Sequence, residues 1–107
     1  MRNQLVVIYW RDIPAQVNAQ AGRQRHQVIL GERFQQAIDR AAMVAGKKTA
    51  NEYVAEWRRQ SGTCGADLEA AAQAEADRLD REYPPERLNQ LVEAGGLDEQ
   101  APSSGEA

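Results

Sequence analysis

The prediction of the fold starts from one stretch of the sequence, Tyr9-Trp10-Arg11-Asp12-Ile13-Pro14-Ala15-Gln16-Val17. Its first two residues are the last two of an apolar run from Leu5 to Trp10. That run is too short for a helix and rich in β-branched and aromatic residues. Because that run is apolar at both alternating sets of positions, it predicts a central strand covered on both faces. Arg11 and Asp12 then form a turn. Pro14 lacks an N–H and disfavours helix at the preceding residue, so it belongs at the start or edge of a second strand.

The pattern after Pro14 is typical of a strand with one buried face. Small apolar residues alternate with carboxamides from Ala15 to Gln20, which predicts a half-buried strand. Gly22 can take positive φ in the hairpin that follows. The segment from Arg25 to Leu30 returns as a third strand, with Val28 and Leu30 on one face. We therefore predict a three-stranded, mostly antiparallel sheet.

Helical patterns fill the remainder of the chain. A first helix opens at Gly31-Glu32, buries a stripe beginning at Phe34 and stops at Gly46. Thr49 and Glu52 match a capping box. The second helix they begin is predicted to carry Tyr53, Val54 and Trp57 on one side and to end near Ser61-Gly62.

Two more helices complete the prediction. A longer helix covers about residues 65–83, and Pro85 suits the first turn of a last helix that buries Leu88, Leu91 and Val92. Gly95-Gly96 ends it. The predicted fold is α+β, with three to four helices packed on the sheet in one domain over residues 1–97. The acidic, small-residue segment 98–107 is predicted to be disordered.

Charge and composition exclude several classes of function. The net charge of −3 divides into +5 over residues 1–63 and −8 over residues 64–107. This asymmetry is compatible with an acidic partner for the first half or docking of one half on the other, but most of these charges are expected to lie on solvated faces. A pI near 5.1 gives nucleic-acid binding no global support. No apolar run approaches a membrane span, and no signal peptide is visible. The single cysteine, Cys64, fits a reducing cytoplasm.

No catalytic or metal-binding constellation emerges from the residue types. His26 and Cys64 are the only His and Cys residues, too few for a structural zinc site, so we predict no metal and no cofactor. Cys64 precedes a predicted helix, where the helix dipole can activate a thiol, but nothing in the sequence brings His26 to it. The pairs Arg23/Arg25 and Arg58/Arg59 can grip a phosphate or carboxylate, or simply keep the surface charged.

The best candidate site is the stretch quoted first. Exposed aromatic residues beside arginine have the composition of a protein-interface hot spot. The alternative is structural: Asp12 caps the turn and Arg11 pairs with a carboxylate such as Glu56. Both interpretations stay open at this point. The candidate binding residues are Tyr9, Trp10, Arg11, Asp12, Gln16, Trp57, Arg58 and Arg59.

Three segments resemble a known family. The strings Ile8–Val17, Glu32–Asp39 and Tyr53–Arg58, with Ala42-Met43, closely resemble the small "virulence factor" domain, which also ends larger proteins of the conserved virulence factor C type. The likeness covers about residues 4–60, and Leu88–Leu97 is similar to the tail of stand-alone members. Gly31 stands where the family has proline. The resemblance implies a bacterial cytoplasmic protein with no established catalytic residues, associated with folate- and corrinoid-linked one-carbon enzymes.

Three functional hypotheses follow. The first is a non-catalytic accessory or adaptor domain that binds a partner protein, with the link to one-carbon metabolism that the resemblance implies. The second is a domain that binds a small anionic ligand, of folate or corrinoid type, through Arg11 and Arg58. The third is an enzyme that uses Cys64.

Overall fold

The computed structural model describes residues 3–47 and 49–97. They form a four-stranded antiparallel sheet and four helices, so the predicted α+β class is confirmed. The disorder predicted for residues 98–107 falls outside this range and stays a prediction. The elements in chain order are β1 (Gln4–Trp10), β2 (Ile13–Ala21), β3 (Gln24–Ile29), α1 (Glu32–Val44), α2 (Ala50–Val54), β4 (Trp57–Thr63), α3 (Leu68–Glu82) and α4 (Pro85–Glu93).

The first three strands form the meander that the sequence predicts. The strand order is β3-β2-β1-β4, and neighbouring strands are antiparallel. Gly22 has φ +59° in the two-residue turn between β2 and β3. The pairing of β1 with β2 shifts at Ile8/Tyr9, because Ala15 is an extra residue between Pro14 and Gln16. This bulge increases the local twist just before the corner where β1 turns into β2.

The segment after α2 corrects the sequence analysis. The helix predicted to run to Ser61-Gly62 ends at Val54, and β4 pairs with β1 from Gln4↔Thr63 to Trp10↔Trp57. Every residue from Arg58 to Thr63 is exposed. An edge strand with little buried surface carries no alternation of apolar and polar residues, so periodicity could not identify it.

The helix boundaries agree well with the local signals. Thr49 and Glu52 form the predicted capping box, and Pro85 is the first residue of α4. Asp67 caps α3 by accepting a hydrogen bond from the Ala70 N–H at 3.1 Å. The buried residues of α4 are Leu88, Leu91 and Val92, as predicted.

The main core lies on one face of the sheet. Val7 of β1 and Val17 and Ala19 of β2 pack in one cluster with buried residues of α1, α3 and α4. Val6 and Ile8 alternate with Val7 and point to the other face, outside that cluster. Val6 is 1% exposed and Trp10 0%, so the prediction that β1 is covered on both faces is confirmed at these two positions, whereas Ile8 is only half-buried. None of the helices in the described residues has both the length and the apolar composition needed to cross a membrane.

Candidate functional site

Trp10 is the centre of a buried corner between β1, α2 and the end of α4. Its side chain is 0% exposed, and its indole Nε1–H donates to the Tyr53 carbonyl oxygen at 2.9 Å. The Tyr53 ring stacks on it with centroids 5.7 Å apart, and Trp57 meets Tyr53 edge to face at 5.9 Å. The docking prediction required an exposed indole. It is wrong, because the indole is buried under α2.

Arg11 fastens this corner to two distant segments. Its Nε donates to Glu56 Oε1 and its Nη1 to the Gly95 carbonyl oxygen, each at 3.1 Å. Lys47 Nζ lies 3.2 Å from the second Glu56 oxygen. The hydrogen bond from Arg11 therefore lowers the pKa of the Glu56 carboxyl below its usual value, against partial desolvation. The structural alternative, Arg11 paired with Glu56, is the one observed.

The backbone of Arg11 gives a sharp test of this role. Its φ is +54°, a left-handed conformation that a residue with a Cβ adopts at a cost of about 1–2 kcal/mol. We expect Arg11→Ala to lower the free energy of unfolding by about 2 kcal/mol, because it removes both hydrogen bonds and keeps the strain. Arg11→Gly removes the same bonds and relieves the strain, so it should lose about 1 kcal/mol less.

Urea unfolding followed by circular dichroism measures both variants. Glycine elsewhere is usually less favourable than alanine, because it loses more conformational freedom on folding. A glycine variant less stable than the alanine variant would therefore contradict the left-handed conformation at Arg11.

A second cluster is formed by Tyr9, Asp12 and Arg58. Tyr9 and Arg58 lie on the face of the sheet that packs against α1, α3 and α4. The Arg58 guanidinium lies 4.3 Å from the centre of the Tyr9 ring, donates through Nε to the Arg11 carbonyl at 2.8 Å, and pairs with Asp12 Oδ1 at 3.1 Å. Burial raises the pKa of the Tyr9 hydroxyl, and the charge of Arg58 opposes that shift. These side chains hold the turn, and their polar groups are largely engaged within the protein.

The opposite face of the sheet carries the remaining candidates, Gln16 and Arg59. They stand in one cross-strand row with Ile8 and Ile29, since Ile8 pairs with Gln16 and Arg59, and Gln16 pairs with Ile29. Ile29 is 71% exposed. We call this surface the open face. Its residues are Gln4, Val6, Ile8, Gln16, Asn18, Gln20, Arg25, Gln27, Ile29, Arg59, Ser61 and Thr63.

The open face differs in chemistry from the chain as a whole. It holds five carboxamides, two hydroxyls and two arginines but no carboxylate, although the chain has a net charge of −3. The guanidinium groups of Arg25 and Arg59 have no hydrogen-bond or ion-pair partner among the residues that the structure describes. The surface is therefore positively charged, rich in hydrogen-bonding groups and apolar at Ile8 and Ile29.

The sequence contained a partial signal for this surface. The alternation of Gln16, Asn18 and Gln20 with buried residues correctly predicted a solvent-facing side of β2. Arg59, Ser61 and Thr63 join the same side only because β4 pairs with β1. That pairing joins segments about fifty residues apart and is invisible to local patterns.

The catalytic hypothesis finds little support in the geometry. Cys64 follows β4, while His26 lies in β3, so β1 and β2 separate them across the sheet. Three strand spacings amount to about 14 Å, far beyond hydrogen-bond reach. Within residues 3–47 and 49–97, no three His, Cys, Asp or Glu side chains cluster in a way that would hold a metal ion.

A shallow cleft lies between α1 and α4, beside Arg33, Arg40 and Asn89. Its volume is about 140 Å³. Pockets for drug-sized ligands usually measure about 300–1,000 Å³. A folate- or corrinoid-sized molecule would therefore not be enclosed there.

Comparison with known proteins gives one match. A family model described as "Virulence factor" matches residues 8–92. The matched span runs from the end of β1 through most of α4, so it includes Trp10, Arg11 and Glu56 of the buried corner and most of the open face. No curated protein and no solved structure matches the chain.

Proposed function

Since this chain belongs to the virulence factor family, we propose that it is a non-catalytic accessory domain that binds an acidic partner protein through the open face. One observation carries the proposal: beyond α2 at its Trp10 end, no helix of the described residues covers this face of the sheet, and its residues include arginines but no carboxylate. Complementary charge steers association and selects partners.

The composition of the open face suits protein recognition. Arginine is enriched at interface hot spots, and Ile8 and Ile29 supply apolar surface within the same cross-strand row. The carboxamides and hydroxyls of this face can hydrogen-bond to a partner or to bridging water. Gln16 and Arg59 are the members of the original candidate set that this proposal retains.

Two further parts of the proposal, the cellular location and the metabolic link, have weaker support. A cytoplasmic location is supported by the single cysteine, which fits a reducing compartment. The link to folate- or corrinoid-dependent one-carbon enzymes is supported only by the resemblance described above.

The second hypothesis, a small anionic ligand held by Arg11 and Arg58, has less geometric support. Both guanidinium groups are already engaged, Arg11 with Glu56 and Gly95, and Arg58 with Asp12 and the Arg11 carbonyl. Ligand binding there would require breaking bonds that hold the corner together.

Charge reversal on the open face tests the proposal. Arg59→Glu should weaken partner binding at least about tenfold, since it replaces an attractive charge with a repulsive one. Arg81→Glu is the matched control, because Arg81 is also exposed but lies on α3, in the helical layer. The partner is first captured from lysate of the native organism, then expressed and purified, and its Kd is measured by calorimetry for each variant.

The stability of both variants should stay close to that of the original protein, since neither guanidinium has a described partner. Equal affinity of the partner for Arg59→Glu and Arg81→Glu would overturn the assignment of the open face. Loss of affinity in both would show that charge acts without regard to position, which also contradicts it.

A further inference from the structure

We propose that β4 receives an extended acidic segment of the partner as a fifth strand of the sheet. This inference rests on the proposed function and specifies how the partner docks. β4 is the edge of the sheet, and no described strand pairs with its outer side. A segment added there would continue the open face by one more strand.

The hydrogen bonds at the two ends of β4 show which of its backbone groups point outward. The Arg11 N–H donates to the Glu56 carbonyl at 3.0 Å, and the Cys64 N–H donates to the Asn3 carbonyl at 3.3 Å. Antiparallel ladders alternate between pairs that exchange hydrogen bonds and pairs that do not. Arg58, Gln60 and Gly62 therefore bond to β1. Arg59, Ser61 and Thr63 direct their N–H and C=O groups away from it.

The outward groups and the open face belong to the same residues. Arg59, Ser61 and Thr63 place their side chains on the open face, as their pairing with Ile8, Val6 and Gln4 shows. An added strand thus meets main-chain donors and acceptors at the edge and the open-face side chains beside them. Main-chain bonds supply affinity in this mode of recognition, and side chains supply specificity.

The other edge of the sheet is less suited to strand addition. β3 packs against α3 as well as against β2, whereas β4 packs extensively only against β1. β4 also contains no proline, the residue that commonly blocks edge pairing. Six of the seven residues of β4 are exposed. The free edge is therefore accessible along nearly its whole length.

The charges on β4 indicate which kind of strand would pair with its outer edge. Arg58 is neutralised by Asp12, but the Arg59 guanidinium has no partner among the described residues. A second copy of β4 would bring two such guanidinium groups together with no carboxylate on either strand, which disfavours self-pairing. A strand with glutamate or aspartate opposite Arg59 would pair favourably. The acidic segment is accordingly the occupant that the edge fits.

Ser61→Pro tests the strand addition, because the N–H that proline removes points outward and makes no bond to β1. Ser61→Ala is the matched control, since it keeps that N–H and loses only the hydroxyl. The probe is a synthetic peptide of the length of β4 that alternates valine with glutamate. A second peptide carries lysine in place of glutamate. Binding is followed by NMR titration into the millimolar range, with amide hydrogen exchange at Arg59, Ser61 and Thr63.

We expect the glutamate peptide to bind the original protein and Ser61→Ala, to slow amide exchange at Arg59 and Thr63, and to bind Ser61→Pro at least about tenfold more weakly. The lysine peptide should not bind. Equal binding to Ser61→Pro and Ser61→Ala, equal binding of both peptides, or no binding at all would each overturn the inference. So would a dimer of the peptide-free protein that Ser61→Pro dissociates, because a second copy would then be the occupant.

The purified native partner separates this inference from the proposed function. If Arg59→Glu abolishes partner binding while Ser61→Pro leaves it intact, the open face binds the partner and strand addition fails. If neither variant affects binding, the proposed function fails as well.

Discussion

Trp10→Ala is expected to lower the free energy of unfolding by about 3–5 kcal/mol, the cost of deleting a large aromatic side chain from a close-packed interior. Trp10 is 0% exposed, and the substitution also removes the indole hydrogen bond to the Tyr53 carbonyl. A small domain has about 5–15 kcal/mol of total stability. The variant should therefore unfold at much lower urea concentration, which circular dichroism can measure.

Trp57→Ala is the matched control for this prediction. Trp57 lies beside Trp10 in the neighbouring strand but is only partly buried, so its loss should cost about 1–2 kcal/mol. If Trp10→Ala is as stable as the original protein yet no longer binds the partner, then the indole is a recognition element and the buried corner is wrong.

Gly96→Ala is expected to be the most damaging of the glycine substitutions. A Cβ at Gly96 would lie 2.9 Å from an atom of the Trp10 ring, and Gly96 has φ +93°. The strain costs about 1–2 kcal/mol, and crowding against a rigid buried ring adds about 1–3 kcal/mol. We therefore expect a loss of about 2–4 kcal/mol in urea unfolding.

Substitutions at two other glycines separate the effect of backbone strain from the effect of crowding against Trp10. Gly46 has φ +74° with open space around its Cβ position, so Gly46→Ala should show the strain alone. Gly62 has neither positive φ nor a close neighbour, so Gly62→Ala should be neutral or slightly stabilising. A result in which Gly96→Ala costs no more than Gly46→Ala would mean that the chain after α4 does not rest on Trp10.

Local sequence patterns were sufficient for most of the fold. The apolar run before Arg11, the alternation after Pro14 and the positive φ at Gly22 predicted the three-stranded meander. Capping at Thr49 and the proline at position 85 predicted where two helices begin. Each of these signals is carried by residues close together in the chain, where propensity and capping act.

Long-range contacts account for what the sequence did not show. The second helix of the prediction extended through residues that form β4, because an exposed edge strand has no hydrophobic period. The aromatic and arginine residues at positions 9–11 have the composition of an interface. Trp10 and Arg11 are nevertheless held by Tyr53, Glu56 and Gly95, and Tyr9 lies under Arg58. Composition alone cannot distinguish a hot spot from a buried corner, since both use aromatic and arginine side chains.

The proposed function assigns stability and recognition to different parts of this small domain. Trp10 and Arg11 join β1 to α2 and to the end of α4, and substitutions there are expected to act through folding. Ile29 of the open face and the residues of β4 from Arg58 to Thr63 are exposed, so substitutions there are expected to act through binding.

Hydrogen exchange of the two indole N–H protons tests the central claim most directly, which is that Trp10 lies inside the structure. The Trp10 Nε1–H is buried and donates to the Tyr53 carbonyl, so NMR should show it exchanging only at the rate set by global unfolding. The N–H of the partly buried Trp57 should exchange much faster. Rapid exchange of the Trp10 proton in the folded protein would contradict the account, because it would place the indole in contact with water.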